Sequence, residues 1–231
     1  MTTIASNLQA VRTAIKEAAD RAGRNAGDIA LLAVSKTFAH ESVREAFGAG
    51  QARFAESYVQ EALDKIAALR DLPIEWHYIG PIQSNKTRAI AENFAWVHSV
   101  DRLKIAERLS AQRPVDLPPL QICLQVNISG EESKSGVSPE QLGALARDIA
   151  ELPGLRLRGL MAIPAPADDV VAQRLPFAQT RELLSLLQRQ GLKPDTLSMG
   201  MSHDFAAAIA EGATMVRIGT AIFGERPFHN A

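Results

Sequence analysis

Cysteine is almost absent from this chain: Cys123 is the only one in 231 residues. No internal disulfide can form, and because Cys123 lies in the apolar run 120–126 a reduced core thiol is expected. An excess of charge is missing as well. The 25 Lys and Arg residues against 26 Asp and Glu leave a formal net charge of −1. The basic residues are scattered in sequence, which argues against a nucleic-acid partner. No apolar run approaches the length needed to span a bilayer, and Met1-Thr2-Thr3-Ile4 opens with neither a basic n-region nor an apolar h-region. A cytoplasmic, soluble protein with no membrane partner is expected. The five histidines (His40, His77, His98, His203, His229) show no ligand spacing such as H-E-x-x-H, and the lone cysteine rules out C-x-x-C, so a metal site is poorly supported. The G-x-S-x-G elbow of a serine hydrolase is also missing.

What the chain does have is alternation. An amphipathic stretch with Ile4, Leu8, Val11 and Ile15 on one face predicts a helix ending near Gly23. Apolar, strand-like runs then recur at 31–36, 52–55, 75–80, 96–100, 120–127, 155–163, 196–199 and 215–223. Helical patterns separate them, including 58–69, a helix from Pro139 to about 152, a long one over 170–190 and one over 202–211. Eight strands alternating with helices is the count of a (β/α)₈ TIM barrel, with a doubly wound open sheet as the other reading. Only seven residues follow Gly224, too few for a covering helix. The extra N-terminal helix can fill that gap. Residues 1–231 are therefore expected to form one domain.

The stretch Leu31-Leu32-Ala33-Val34-Ser35-Lys36-Thr37 draws attention first. A strand apolar on both faces delivers a lysine where it leaves the sheet. The ammonium either snorkels into water or, partly desolvated, serves as a nucleophilic amine able to form an imine with a carbonyl. In a barrel, active residues gather at the C-terminal ends of strands, which here carry Lys36, Glu56, Ser57, His77, Ser99, Asn127, Ala162, Gly200, Gly219 and Thr220. The loops after strands 7 and 8 are the customary barrel phosphate seat. There Gly200 and Ser202 precede a helix, and Gly219 and Thr220 close the last strand. Ser202 could equally be only a helix cap. Arg217 lies within the strand pattern on the same face as Gly219 and needs an acceptor. That acceptor is either an acid such as Glu56 or Asp204, or the ring nitrogen of a ligand. An amine, a phosphate seat and an arginine between them suit pyridoxal 5′-phosphate (PLP).

The segments LLAVSK (31–36), ESYVQEALDKI (56–66), WHYIGPIQSNK (76–86), LRGLMAIPAP (157–166) and SMGMSHDFAAAIAEGATMVRIGTAIFG (198–224) resemble the pyridoxal phosphate homeostasis protein family over nearly the whole chain. The resemblance implies a barrel of the alanine racemase N-terminal-domain type. It implies PLP held as a covalent imine on Lys36, Arg217 facing the pyridine nitrogen, and Ser202, Gly219 and Thr220 around the phosphate. Ser57, His77 and Gly200 complete the expected cofactor-binding set. Two positions depart from the family pattern: Ala55-Glu56-Ser57 stands where Gly-Glu-Asn is usual, and His203 stands where an acid is common.

Two functions follow from this reading. One is a carrier, expected to be a monomer, that buffers PLP or delivers it to apo PLP-dependent enzymes and so supports amino-acid and keto-acid balance, with no reaction of its own. The other is an amino-acid racemase or related enzyme. An enzyme needs a second base opposite Lys36, and neither Tyr58 nor Tyr78 is an obvious one. A cofactor-free Schiff-base aldolase would leave Arg217 unexplained. The polar loop 129–136 belongs at the barrel mouth and reads either as solvated or as carrying, in Lys134, a transient acceptor of departing PLP.

Overall fold

A computed structural model of the chain describes residues 3–130, 135–167 and 169–225. The expectation for Lys134 falls outside the described residues. Helix α1 spans Ile4–Arg21, capped by the Thr3 hydroxyl, which accepts the Ser6 N–H at 3.2 Å. Then follow β1 (Ala30–Val34), α2 (His40–Gly48), β2 (Arg53–Glu56), α3 (Val59–Ala68), β3 (Glu75–Tyr78), α4 (Thr87–Asn93), β4 (Trp96–Val100) and α5 (Leu103–Gln112). The second half carries β5 (Leu120–Val126), α6 (Pro139–Ala150), β6 (Leu155–Ala162), α7 (Val170–Arg189), β7 (Thr196–Ser198), α8 (Phe205–Ala210), β8 (Met215–Ile218) and α9 (Thr220–Phe223).

The eight strands form a closed barrel in sequence order, each parallel to its neighbours, and β1 pairs with β8 through Ala30–Met215 to Ala33–Ile218. The open-sheet alternative is excluded by that pairing. The N-terminal helix takes its expected place. Its buried face, Leu8, Val11, Ile15, Ala18 and Ala19, joins the layer between helices and sheet, and the Asn7 amide donates to the Ile222 carbonyl at 2.9 Å.

Two expectations change in the last third of the chain. The eighth strand ends at Ile218, not at 223, because Gly219 turns the backbone into the short helix α9. The helix expected over 202–211 begins only at Phe205, because a turn at Met201–Asp204 comes first. In that turn the Asp204 carboxylate accepts the Met201 N–H, and the Met201 carbonyl accepts the Phe205 N–H at 2.9 Å.

The barrel interior is divided. Trp96, Cys123, Met161 and Met215 make a small apolar cluster separate from the main core. Buried polar side chains share the interior: His77 and His98, both fully buried, with Ser198 and Arg217. Period-two alternation along β3, β4, β7 and β8 sends these side chains inward. No helix among the described residues is long and apolar enough to cross a membrane.

Candidate functional site

At the C-terminal mouth of the barrel a cavity of about 270 Å³ is lined by Lys36, Phe38, Ser57, Met201, Ser202, His203, Arg217, Gly219 and Thr220, with Val34, Ile79 and Ile163 completing its walls. It brings together six of the residues singled out in the sequence: Lys36, Ser57, Ser202, Arg217, Gly219 and Thr220. Each arrives by a strand end. β1 delivers Lys36, β2 Ser57, and β8 supplies Arg217, Gly219 and Thr220; Ser202 comes from the turn after β7. A larger cavity of about 740 Å³ adjoins it, sharing Ser57, Ile79 and Ile163 and adding Tyr58, Tyr78, Lys86 and Arg102.

The backbone around Lys36 is held from below. Lys65, almost fully buried, donates from Nζ to the Ser35 carbonyl at 2.7 Å, to Glu56 Oε1 at 2.8 Å and to Glu61 Oε1 at 2.6 Å. The Ser35 hydroxyl donates to Glu56 Oε1 at 2.6 Å. Thr37, on the other side of Lys36, sits at φ 71°, a left-handed conformation that is strained for a β-branched residue. Lys36 is thus fixed between two anchored neighbours. Burial raises the Glu56 carboxyl above its ordinary value, against the pull of Lys65 and Ser35.

Arg217 is buried and meets no acid among the described residues. Its Nη1 donates to the Ser198 carbonyl and, at 2.9 Å, to the Ser198 hydroxyl, while Nη2 donates to the Ala162 carbonyl at 3.0 Å. Burial lowers this guanidinium to about 10, opposed by the more distant Asp204. The structural ion pair with Glu56 or Asp204 is not formed; Glu56 is taken by Lys65 instead. Three neutral acceptors hold the guanidinium at the cavity floor.

The residues expected to seat a phosphate differ in how they reach the cavity. Ser202 is not a helix cap, since α8 starts three residues later with Asp204 in the cap position. A six-residue helix also offers little dipole. At β8 the short α9 opens on Gly219 and Thr220, so the first N–H groups of that helix lack intrahelical partners. A Cβ on Gly219 would lie 3.1 Å from the Val34 carbonyl oxygen, a tight contact, so the close approach of β8 to β1 favours glycine there.

Gly200 and His77 are placed away from the cavity lining. Gly200, at φ 93°, shapes the turn: a Cβ there would stand 2.6 Å from that of Ala208. His77 sits inside the barrel below the mouth. Its Nδ1 meets His98 Nε2 at 2.9 Å, its Nε2 meets Glu75 Oε1 at 2.9 Å, and its ring stacks on Trp96. The strand-end position in sequence pointed to the mouth; the side chain points along the interior one layer deeper.

Sequence reasoning missed Ser198, His98, Glu61 and Lys65 as supports of the site. The available signal was polar residues spaced by two in otherwise apolar strands, such as Glu75 and His77 in β3. The convergence of His98 and Ser198 depends on strands far apart in sequence, whereas Glu61 and Lys65 are four apart on α3.

The model of the alanine racemase N-terminal domain family matches residues 6–227. The pyridoxal phosphate homeostasis protein of Pseudomonas aeruginosa is 62% identical over 99% of this chain and 98% of its own length. That of Escherichia coli K12 is 53% identical over 99% of both chains. Among solved structures, PipY of Synechococcus elongatus PCC7942 with PLP bound is 38% identical, with a TM-score of 0.84 over 96% of this chain and all of that one. Alanine racemase of Corynebacterium glutamicum, at 20% identity and a TM-score of 0.70, shares the fold; the match covers 99% of this chain and 62% of the racemase.

Proposed function

Given that the chain belongs to the alanine racemase N-terminal domain family and, within it, to the pyridoxal phosphate homeostasis proteins, we propose that it is a PLP carrier that holds the cofactor covalently on Lys36 and releases it to apo-enzymes. The observation that carries this reading is the gathering of an amine, a guanidinium and the hydroxyls of Ser57, Ser202 and Thr220 in one cavity of about 270 Å³. That donor set fits PLP group by group. Lys36 supplies the amine that bonds to the aldehyde carbon with loss of water. Arg217 donates to the pyridine nitrogen. Ser202, Thr220 and the free N–H groups at the start of α9 receive the phosphate, with Gly219 allowing close approach. Ser57 lines the same wall.

In enzymes PLP serves as an electron sink, most strongly when its ring nitrogen is protonated. Arginine at that nitrogen donates a hydrogen bond and does not supply a proton, so this chain favours holding over catalysis. The bases opposite Lys36 are also poor. The Tyr78 hydroxyl is directed at the carbonyls of Pro81 (3.0 Å) and Ser57 (3.2 Å), and burial pushes it up to about 12. Tyr58 lines the adjoining cavity, is 54% exposed, and is not part of the Lys36 wall.

Borohydride reduction of the PLP-loaded protein, followed by peptide mapping, tests the reading. The pyridoxyl group is expected on Lys36; recovery only on Lys86 or another lysine overturns the assignment. Incubation with amino acids in deuterated water separates carrier from enzyme. Release of PLP with α-deuteration near background supports the carrier, whereas rapid, saturable α-deuteration abolished in Lys36→Ala establishes an enzyme.

A further inference from the structure

The interior of the barrel holds an unbroken line of hydrogen bonds from its lower end to the cavity floor. Glu75 Oε1 lies 2.9 Å from His77 Nε2, His77 Nδ1 lies 2.9 Å from His98 Nε2, His98 Nδ1 lies 2.8 Å from Ser198 Oγ, and Ser198 Oγ lies 2.9 Å from Arg217 Nη1. The two ends determine the direction of every link. Arg217 can only donate, so Ser198 Oγ accepts there; with both rings neutral and Glu75 accepting from His77 Nε2, the Ser198 proton goes to His98 Nδ1. His98 then carries its proton on Nε2 and gives it to His77 Nδ1. His77 in turn carries its proton on Nε2, where a carboxylate that can only accept is waiting. Both histidines are neutral Nε2–H tautomers in this arrangement.

We propose that Glu75, His77, His98 and Ser198 form a one-directional relay that positions the Arg217 guanidinium at the floor of the PLP cavity. The proposal rests on the PLP reading for its consequence, not for its geometry. His77, expected in the sequence to touch the cofactor, is in this assignment a positioning residue. Arg217 has no contacting carboxylate among the described residues, and the relay supplies its hydroxyl acceptor in a single orientation. A proton added to His77 Nδ1 reverses the line. His77 would donate to both Glu75 and His98, His98 would donate to Ser198, and the Ser198 proton would lose its acceptor.

Burial favours the neutral form of His77, against the pull of Glu75, and Arg53 adds to the burial effect. On β2, Arg53 Nε donates to Glu75 Oε1 at 3.0 Å and shares its charge. From β6, Arg158 lies over the Trp96 ring on which His77 stacks, 4.8 Å from the ring centre, and is itself paired with Asp195 at 2.8 Å. Cys123 on β5 is a buried neutral thiol. Glu75 is the one acid bonded to the histidine pair among the described residues.

The test has one arm that needs no cofactor. Side-chain ¹⁵N spectra of histidine-labelled, unliganded protein at neutral pH are expected to show His77 and His98 both neutral and protonated on Nε2. The Nδ1–H tautomer, or a charged ring, at either position overturns the relay whether or not Lys36 binds PLP. The second arm measures PLP affinity. Glu75→Gln keeps a polar partner for His77 but can donate as well as accept, so it no longer sets the direction. Its dissociation constant for PLP is expected to rise roughly three- to tenfold, in line with one weakened hydrogen bond. Arg53→Gln removes the other partner of Glu75 and should leave affinity within about twofold, while Glu75→Asp should restore part of the loss. In a Ser198→Ala background, Glu75→Gln should add nothing further. Equal effects of Arg53→Gln and Glu75→Gln, or additive effects of Glu75→Gln and Ser198→Ala, would make Glu75 a local ion-pair partner and refute the relay. Failure of the borohydride label at Lys36 with the expected tautomers in place would instead count against the PLP reading and leave the relay standing.

Discussion

The backbone N–H of Thr37 donates to Glu61 Oε1 at 2.6 Å, and the same oxygen accepts from Lys65 Nζ at 2.6 Å. A strained residue beside Lys36 is therefore tied to a cluster of one buried cation, Lys65, and two carboxylates, of which Glu61 is partly exposed. Glu56, fully buried, shares that cation. The lysine at the end of β1 owes its fixed place to this cluster and not to apolar packing alone.

The cluster gives the first prediction. Lys65→Met leaves Glu56 charged and without its cation, a loss expected to cost about 3–5 kcal/mol in urea unfolding at neutral pH. Adding Glu56→Gln should recover most of it. The direction with pH follows from the raised Glu56 carboxyl. The folded state takes up that proton more readily than the unfolded one, so stability falls as pH rises from the ordinary value of 4.5 through the raised one. The deficit of Lys65→Met should accordingly shrink on acidification. A deficit that stays constant across the acid range would show that Glu56 is not the group left uncompensated.

A second prediction concerns the acid limb of the wild type. Burial lowers both His77 and His98 below 6.5, His98 the further, with His77 and Arg217 adding to the shift at His98. The folded state thus binds these protons less readily than the unfolded chain. Their stabilisation is complete above pH 6.5 and is lost as pH falls below it, by at most about 1.4 kcal/mol per pH unit for each ring. Denaturant unfolding between about pH 8 and pH 5 should show this slope, and His98→Gln should reduce it. An unchanged slope in that variant would assign the acid sensitivity to other groups.

The proposed phosphate seat gives a third. Ser202→Ala combined with Thr220→Val should weaken PLP more than pyridoxal, which lacks the phosphate. Each hydrogen bond to a charged group is worth roughly 1.5–3 kcal/mol. Titration of both ligands followed by their absorbance measures the difference. Equal weakening of the two would place the phosphate away from these hydroxyls.

Much of this protein is legible in the order of its residues. Eight apolar runs separated by amphipathic helices specify alternating parallel strands and helices, because strands buried on both faces need helices outside. The pairing of β1 with β8 then closes them into a barrel rather than an open sheet. The lysine ending β1 and the arginine facing inward beside Gly219 follow from strand period and from the cost of a buried, unpaired charge. Local patterns could not decide what lay across the barrel. His98 and Ser198 are 100 positions apart and Arg217 and Ala162 are 55 apart, and which residue faces which depends on the register of every intervening strand. For the same reason Arg217 met carbonyls and a hydroxyl where an acid was one expectation, and His77 met another histidine below the mouth. The start of α8 and the end of β8 were likewise decided in three dimensions, by the Asp204 side chain closing its own turn and by the close approach of Gly219 to Val34. Sequence alone determined the alternation of strand and helix and the chemical character of the strand ends, since both depend on spacing along one chain. Tertiary structure alone decided how the buried polar groups satisfy one another, since each must find its partner on a different strand.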